Sequence, residues 1–159
     1  MERSQWYIGA VNGVVLCIDS NEDNFFKGRV YHAYNKGVIK VCCIEQLLFA
    51  LDEFYNSIEF PYPSNDERTF QEKREEKDFK IERERIMSDK ELLNKHGDLG
   101  TFIIRVQHRQ NSSWQGRITW MDKNKTLSFR SVWEMIKLIA SALDTVSKQD
   151  DASDGKSWN

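Results

Sequence analysis

The sequence predicts an α+β protein made of two tandem βββα repeats. Each is an antiparallel three-stranded sheet with a helix packed on one face, and a charged, helical linker joins them. Three observations carry this reading. Val14, Leu16 and Ile18, and again Phe102, Ile104 and Val106, alternate with other residues, the period of a strand. Ile44, Leu47, Leu48, Leu51 and Tyr55 take the i, i+3, i+4, i+7, i+11 spacing of one helix face, as do Val132, Met135, Ile136, Ile139 and Leu143. These patterns recur without gaps 88 positions apart, with Gly28-Arg29-Val30 matching Gly116-Arg117-Ile118 and Phe26 matching Trp114.

The elements follow in order. After the first strand, turn residues fill 20–24, a second strand runs through Phe26 and Val30, and 35–37 turn into a short third strand at Ile39 and Val41. Cys43 takes the cap position of the first helix, a weaker cap than its counterpart Ser131. Pro61 and Pro63 close the first repeat, residues 1–63. Residues 64–98 are dense in both signs of charge, with Phe79, Ile86 and Leu93 at seven-residue spacing. Ser88-Asp89-Lys90-Glu91 reads as a capping box and Gly97 as a C-cap, so this linker is expected to be a charged helix broken near Ser88. The second repeat, 99–144, turns at 110–112 and 122–124, and Ser131-Val132-Trp133-Glu134 is a capping box opening its helix. The polar tail, 145–159, reads as disordered. Two copies make physical sense, because a unit of roughly 45 residues leaves too much apolar surface exposed to stand alone. They are expected to cover each other's open sheet faces or to pair edge strands.

Composition bounds the function classes. With 159 residues, 40% hydrophobic and two prolines, the chain has enough apolar mass for a core and is neither collagen-like nor disulfide-dense. A net charge of −2 argues against a wholesale nucleic-acid coat or a polybasic membrane binder. Neither a signal-peptide run nor a membrane-span-length apolar stretch is seen, and Cys17, Cys42 and Cys43 make a poor disulfide framework, so a cytoplasmic location is expected. No GxGxxG, P-loop, Cys-x-x-Cys or His-x-x-x-His pattern occurs, and no catalytic residue, cofactor or metal is expected. His32 and Cys42 would form a thiolate–imidazole pair only if neighbouring strands joined them. Alternation puts His32 on the face of Val30, so no catalysis is read there.

The informative surface is in the second repeat. Phe102, Ile104, Val106, Trp114, Ile118, Trp120, Leu127 and Phe129 form an apolar face that must receive the helix. The opposite face then carries Arg105, Gln107, Arg109, Gln115, Arg117, Thr119, Ser128 and Arg130. Residues 101–144 hold seven basic and three acidic side chains, whereas 9–58 hold four and six. A planar guanidinium suits phosphate or carboxylate. The candidate anion or partner face is therefore Arg105, Gln107, Arg109, Gln115, Arg117 and Arg130, unless the acid-rich linker or the first repeat covers it. With Trp133 off the core face of its helix, the expected function is that of a non-enzymatic binding or regulatory protein acting through protein–protein contacts. Nucleic-acid or nucleotide binding on the arginine face is the alternative.

The stretch TFIIRVQHRQNSSWQGRITWMDKNKTLSFRSVWEMIKLIASALD resembles a family of small uncharacterised Firmicutes proteins. The shared features are a strand ending in Arg109-Gln110-Asn111, then Ser113-Trp114-Gln115-Gly116, then Phe129-Arg130-Ser131 and an amphipathic helix, with an upstream Gly28-Arg29-Val30-Tyr31 strand in some members. The resemblance implies a bacterial cytosolic α+β protein and no particular activity. Arg105–Arg109 and Asn111–Gly116 also fit the two short signatures of PilZ cyclic-di-GMP receptors. In that family the two lie well apart, whereas here both fall on one hairpin, and no such site is expected.

Overall fold

In the computed structural model, which describes residues 13–22, 25–34, 37–58, 70, 86–109 and 113–156, the two alternating runs pair with each other. They lie in β1 (Gly13–Glu22) and β4 (Gly100–His108), where Val14 faces Ile104 and Leu16 faces Phe102. With β2 (Phe25–His32), β3 (Ile39–Val41), β5 (Gln115–Trp120) and β6 (Lys125–Phe129) they form one antiparallel six-stranded sheet of order β3-β2-β1-β4-β5-β6. The helices are α1 (Ile44–Ile58), α2 (Asp89–Leu93) and α3 (Val132–Lys156). Of the two arrangements expected for the halves, edge pairing is the one observed.

Alternation sends Leu16, Ile18, Phe102 and Ile104 to one face, where Leu47, Leu51 and Tyr55 of α1 and Met135, Ile139 and Leu143 of α3 complete a single core. The registers of the two halves agree residue for residue. Val14 faces His32 and Phe102 faces Trp120; Gly28 faces Val41 and Gly116 faces Phe129. Even the β-bulges correspond, between Ile18 and Ser20 in β1 and between Val106 and His108 in β4. The helix starts agree as well. Cys42 N–H donates to the Gln46 side chain at 2.8 Å, as Arg130 N–H does to Glu134 at 3.3 Å, and Glu134 N–H donates to the capping Ser131 hydroxyl at 3.1 Å.

The opposite face is covered by the chain between the halves. Met87 and Leu92 pack on Val15, Cys17, Tyr31, Ala33 and Ile103. Ser88 caps α2 as expected, accepting from Glu91 N–H at 3.2 Å. Gly97 is not the C-cap: Asn94 is, and a side chain at Gly97 would run into the Ile18 and Gly100 backbone. Of the expected apolar stripe, Leu93 packs partly against this cluster, Ile86 is exposed and Phe79 lies outside the described residues; the main contacts on the sheet come instead from Leu92 of the five-residue α2 and from Met87 just before it.

Three other expectations change. Leu127 has the predicted strand orientation but is 56% exposed, because it borders a gap of about 200 Å³ between the sheet and α3. Ile136 is only half-buried, at the margin of the helix face. The backbone expected to be disordered from about Thr145 continues as helix to Lys156. The helix expected over 71–85, Pro61, Pro63, residues 1–12 and the turn residues at 23–24, 35–36 and 110–112 lie outside the described residues. No described helix is long and apolar enough to cross a membrane.

Candidate functional site

On the face opposite α3, alternation brings Arg105 of β4, Arg117 and Thr119 of β5, and Thr126 and Ser128 of β6 together. Arg105 faces Arg117 directly across the strands, and Arg117 faces Ser128. Directly opposed residues have Cβ atoms about 5 Å apart, so like charges there repel. Among the described residues neither guanidinium has a carboxylate partner, and Arg117 is exposed. Gln107, exposed, is the extra residue of the β4 bulge, and Gln115 lies beyond it, opposite His108. Thr119 and Thr126 hydroxyls bond at 2.9 Å and close the lower row. Arg130 is at the rim, its side chain 88% exposed and 3.5 Å from Glu134.

Arg109 is not part of this face. The bulge adds one residue to β4, which reverses the alternation beyond it. Arg109 is therefore buried on the helix side, where its Nη1 donates to Asn56 Oδ1 at 2.8 Å and lies 3.6 Å from Asp52. Its guanidinium lies 5.9 Å from the centre of the Tyr55 ring. It ties the second half to α1 and is a structural residue.

The corresponding face of the first half shows what a single exchange does. Asp19 stands where Gln107 stands, and Arg29 where Arg117 stands. Arg29 grips Asp19 with two bonds, Nε to Oδ2 at 2.8 Å and Nη2 to Oδ1 at 3.0 Å. The same arginine donates to Tyr31 OH at 2.8 Å and to the His96 carbonyl at 2.7 Å, and Asp98 N–H donates to Asp19 at 3.2 Å. Arg29 holds the Asp19 carboxyl below the usual carboxylate range, and Asp19 in turn raises the Arg29 guanidinium. Cys17, in the position of Arg105, is buried, and burial pushes its thiol up to about 11. The first-half face is thus closed by residues 94–98 around an internal ion pair. In the second half the carboxylate is an amide and the buried thiol is a second arginine.

His32 and Cys42 do not meet. The Cys42 backbone carbonyl accepts from Phe26 N–H at 3.1 Å, whereas His32 lies six residues further along β2, stacked on Phe54 with ring centres 4.3 Å apart. No cluster of three metal-ligating side chains forms among the described residues. The exchange of Asp19 for Gln107 was visible in the sequence as one mismatch between aligned halves; its meaning required knowing that Arg29 closes on Asp19.

No family model matches the chain, and neither a curated protein nor a solved structure is similar to it.

Proposed function

We propose that this chain is a non-enzymatic, cytoplasmic binding protein, built from two tandem βββα units, that holds an acidic segment of a protein partner on the Arg105–Arg117 face. The observation that carries the reading is the missing carboxylate. Arg29 has Asp19 and a covering segment; Arg117, in the same register, has Gln107 and faces Arg105. A partner that brings its own carboxylates relieves the repulsion between the two guanidiniums and gains charge-assisted bonds. The first half supplies the precedent, since there Arg29 takes a main-chain carbonyl, that of His96, from the segment that covers it. Three free cysteines suit a reducing compartment.

The face favours protein over nucleic acid. Phe102, Trp114, Trp120 and Phe129 all belong to the helix side of the sheet, so among the described residues the arginine face offers no Phe, Tyr or Trp on which bases could stack, only the exposed His108 opposite Gln115. The test is fluorescence anisotropy with a labelled glutamate-rich peptide and a labelled single-stranded RNA, at low and near-physiological salt. The expected result is peptide binding that weakens with salt and is lost in Arg105→Glu/Arg117→Glu, with no RNA binding. Absence of peptide binding at low salt, or binding unchanged in the double variant, overturns the proposal. RNA binding that vanishes in that variant replaces it with nucleic-acid recognition.

A further inference from the structure

The sheet ends in β3 on one side and β6 on the other. Among the described residues the backbone of β6 bonds only to β5, so the N–H and C=O groups on its outer side are a free template for another strand. We infer that this edge receives the acidic partner segment as a seventh strand, in which acidic residues alternate with apolar ones. The inference rests on the binding reading given above and specifies how the partner is held.

The two edges of the sheet differ in ways that favour β6. β3 runs for three residues, Ile39–Val41, and β6 for five, Lys125–Phe129. Lys40 faces Arg29 at the first edge, whereas Ser128, 88 positions later, faces Arg117 at the second. Arg29 is turned inward by Asp19. Arg117 instead has Arg105 on its inner side, and only the small Thr126 and Ser128 stand between it and the edge. Repulsion from Arg105 favours an Arg117 guanidinium turned outward, over Ser128. A strand added beside β6 lies about 10 Å from β5, two strand spacings, a span that an arginine and a glutamate side chain bridge together.

Alternation sets the other half of the motif. Leu127 is on the helix side of β6, largely exposed, beside the gap that Phe102, Ile118 and Leu138 line. Every second side chain of an added strand falls on that side and covers Leu127, so those positions are apolar. Charge argues against a second copy of this chain as the occupant. Residues 120–130 hold Lys123, Lys125 and Arg130 against Asp122 alone. Two β6 strands paired antiparallel about Leu127 would set Arg130 of each copy opposite Asn124, between Lys123 and Lys125 of the other, and like charges so placed repel. An acidic strand meets the same side chains with attraction, and its main chain completes the bonding of the edge.

The test uses the full chain and a labelled peptide with a Glu-Val-Glu-Val-Glu core flanked by Gly-Ser, titrated at low salt by fluorescence anisotropy. Rearranging the core to Glu-Glu-Glu-Val-Val keeps charge and composition and should weaken binding about tenfold, the effect of one charge-assisted pairing lost. A strand turns alternate N–H groups to opposite edges, so N-methylation of the glutamates or of the valines should abolish binding in one case and spare it in the other. Amide exchange in Lys125–Phe129, read by NMR, should slow on saturation with the alternating peptide, while that in Ile39–Val41 stays as in the free chain. Equal affinity for the two core orders, equal affinity for the two N-methylated peptides, or binding without slower exchange in β6 overturns strand addition and leaves the arginine-face reading standing. Exchange in β6 that slows with chain concentration in the absence of peptide gives the edge to a second copy and also overturns it. Binding of neither core order at low salt overturns both the inference and the reading it rests on.

Discussion

The two halves of the sheet share their register and bulge positions, yet each closes where the other stays open. On the outer face, Asp19 and Arg29 clamp residues 94–98 over the first half, while Gln107, Arg105 and Arg117 leave the second half without an internal ion pair. On the helix face the roles reverse. Arg109 reaches Asp52 and Asn56 and ties β4 to α1. The corresponding first-half residue, Asn21, instead lines an open groove with Ile18, Phe26, Ile44 and Asp144. The lesson is local: a matched backbone presents the same positions twice, and one charge at a bulge decides whether that position is a clasp or a surface.

Four experiments sharpen this comparison. The largest effect is expected where the halves meet. Trp114 is buried and packs edge-on against Tyr55 with ring centres 5.7 Å apart, so Trp114→Ala should cost about 3–5 kcal/mol in denaturant unfolding. A loss under about 1 kcal/mol would mean that the second hairpin does not anchor α1.

Next come the paired glycines. A Cβ at Gly116 would strike the Arg105 carbonyl oxygen, which is backbone, whereas at Gly28 it would press on the Phe26 ring and Val41 side chain at 2.8 and 2.9 Å. Gly116→Ala should therefore cost more than Gly28→Ala, the latter about 1–3 kcal/mol as ordinary overpacking. Equal losses would show that the two bulges tolerate crowding alike.

Third is the clasp. Asp19→Asn should release residues 94–98 and raise the alkylation rate of Cys17, read by mass spectrometry against the already exposed Cys42. Because Arg29 lowers the Asp19 carboxyl, the stabilisation is fully present above the ordinary carboxylate value of 3.8 and is lost as pH falls through the lower folded-state value. The stability gap between the parent and Asp19→Asn should therefore be constant at neutral pH and close below about pH 4. A gap that does not depend on pH would remove the ion pair as its cause.

The smallest effect on stability is expected at the open face. Arg105→Glu/Arg117→Glu should stay within about 0.5 kcal/mol of the parent, since neither guanidinium has a described partner to lose. A loss several times larger would show that these arginines are clasped as Arg29 is.

Much of this organisation could be read from residue order. The period-two runs at Val14 and Phe102, the helix stripes at Ile44 and Val132, and the caps at Ser88 and Ser131 all depend on neighbours within a few positions, where spacing alone carries the signal. Arg105 and Arg117 were legible for the same reason, because strand alternation places them without reference to any other element. Arg109 was misplaced because a bulge between Val106 and His108 reverses alternation, and whether a strand bulges depends on the register of the strand beside it. Trp120 and Ala142 could not be joined into one cavity wall from sequence, since one lies on a strand and the other on a helix whose docking sets the gap between them.

The sequence by itself determined the six strands, the two long helices and an arginine-bearing face, because these follow from local periodicity and capping. Only the tertiary structure decided that β1 pairs with β4, that Asp19 closes one face and Gln107 leaves the other open, and that α3 leaves a cavity of about 200 Å³ beside Trp120. Those outcomes depend on contacts between residues far apart in the chain, and their energies are set by burial and paired charge, which spacing along the sequence does not encode.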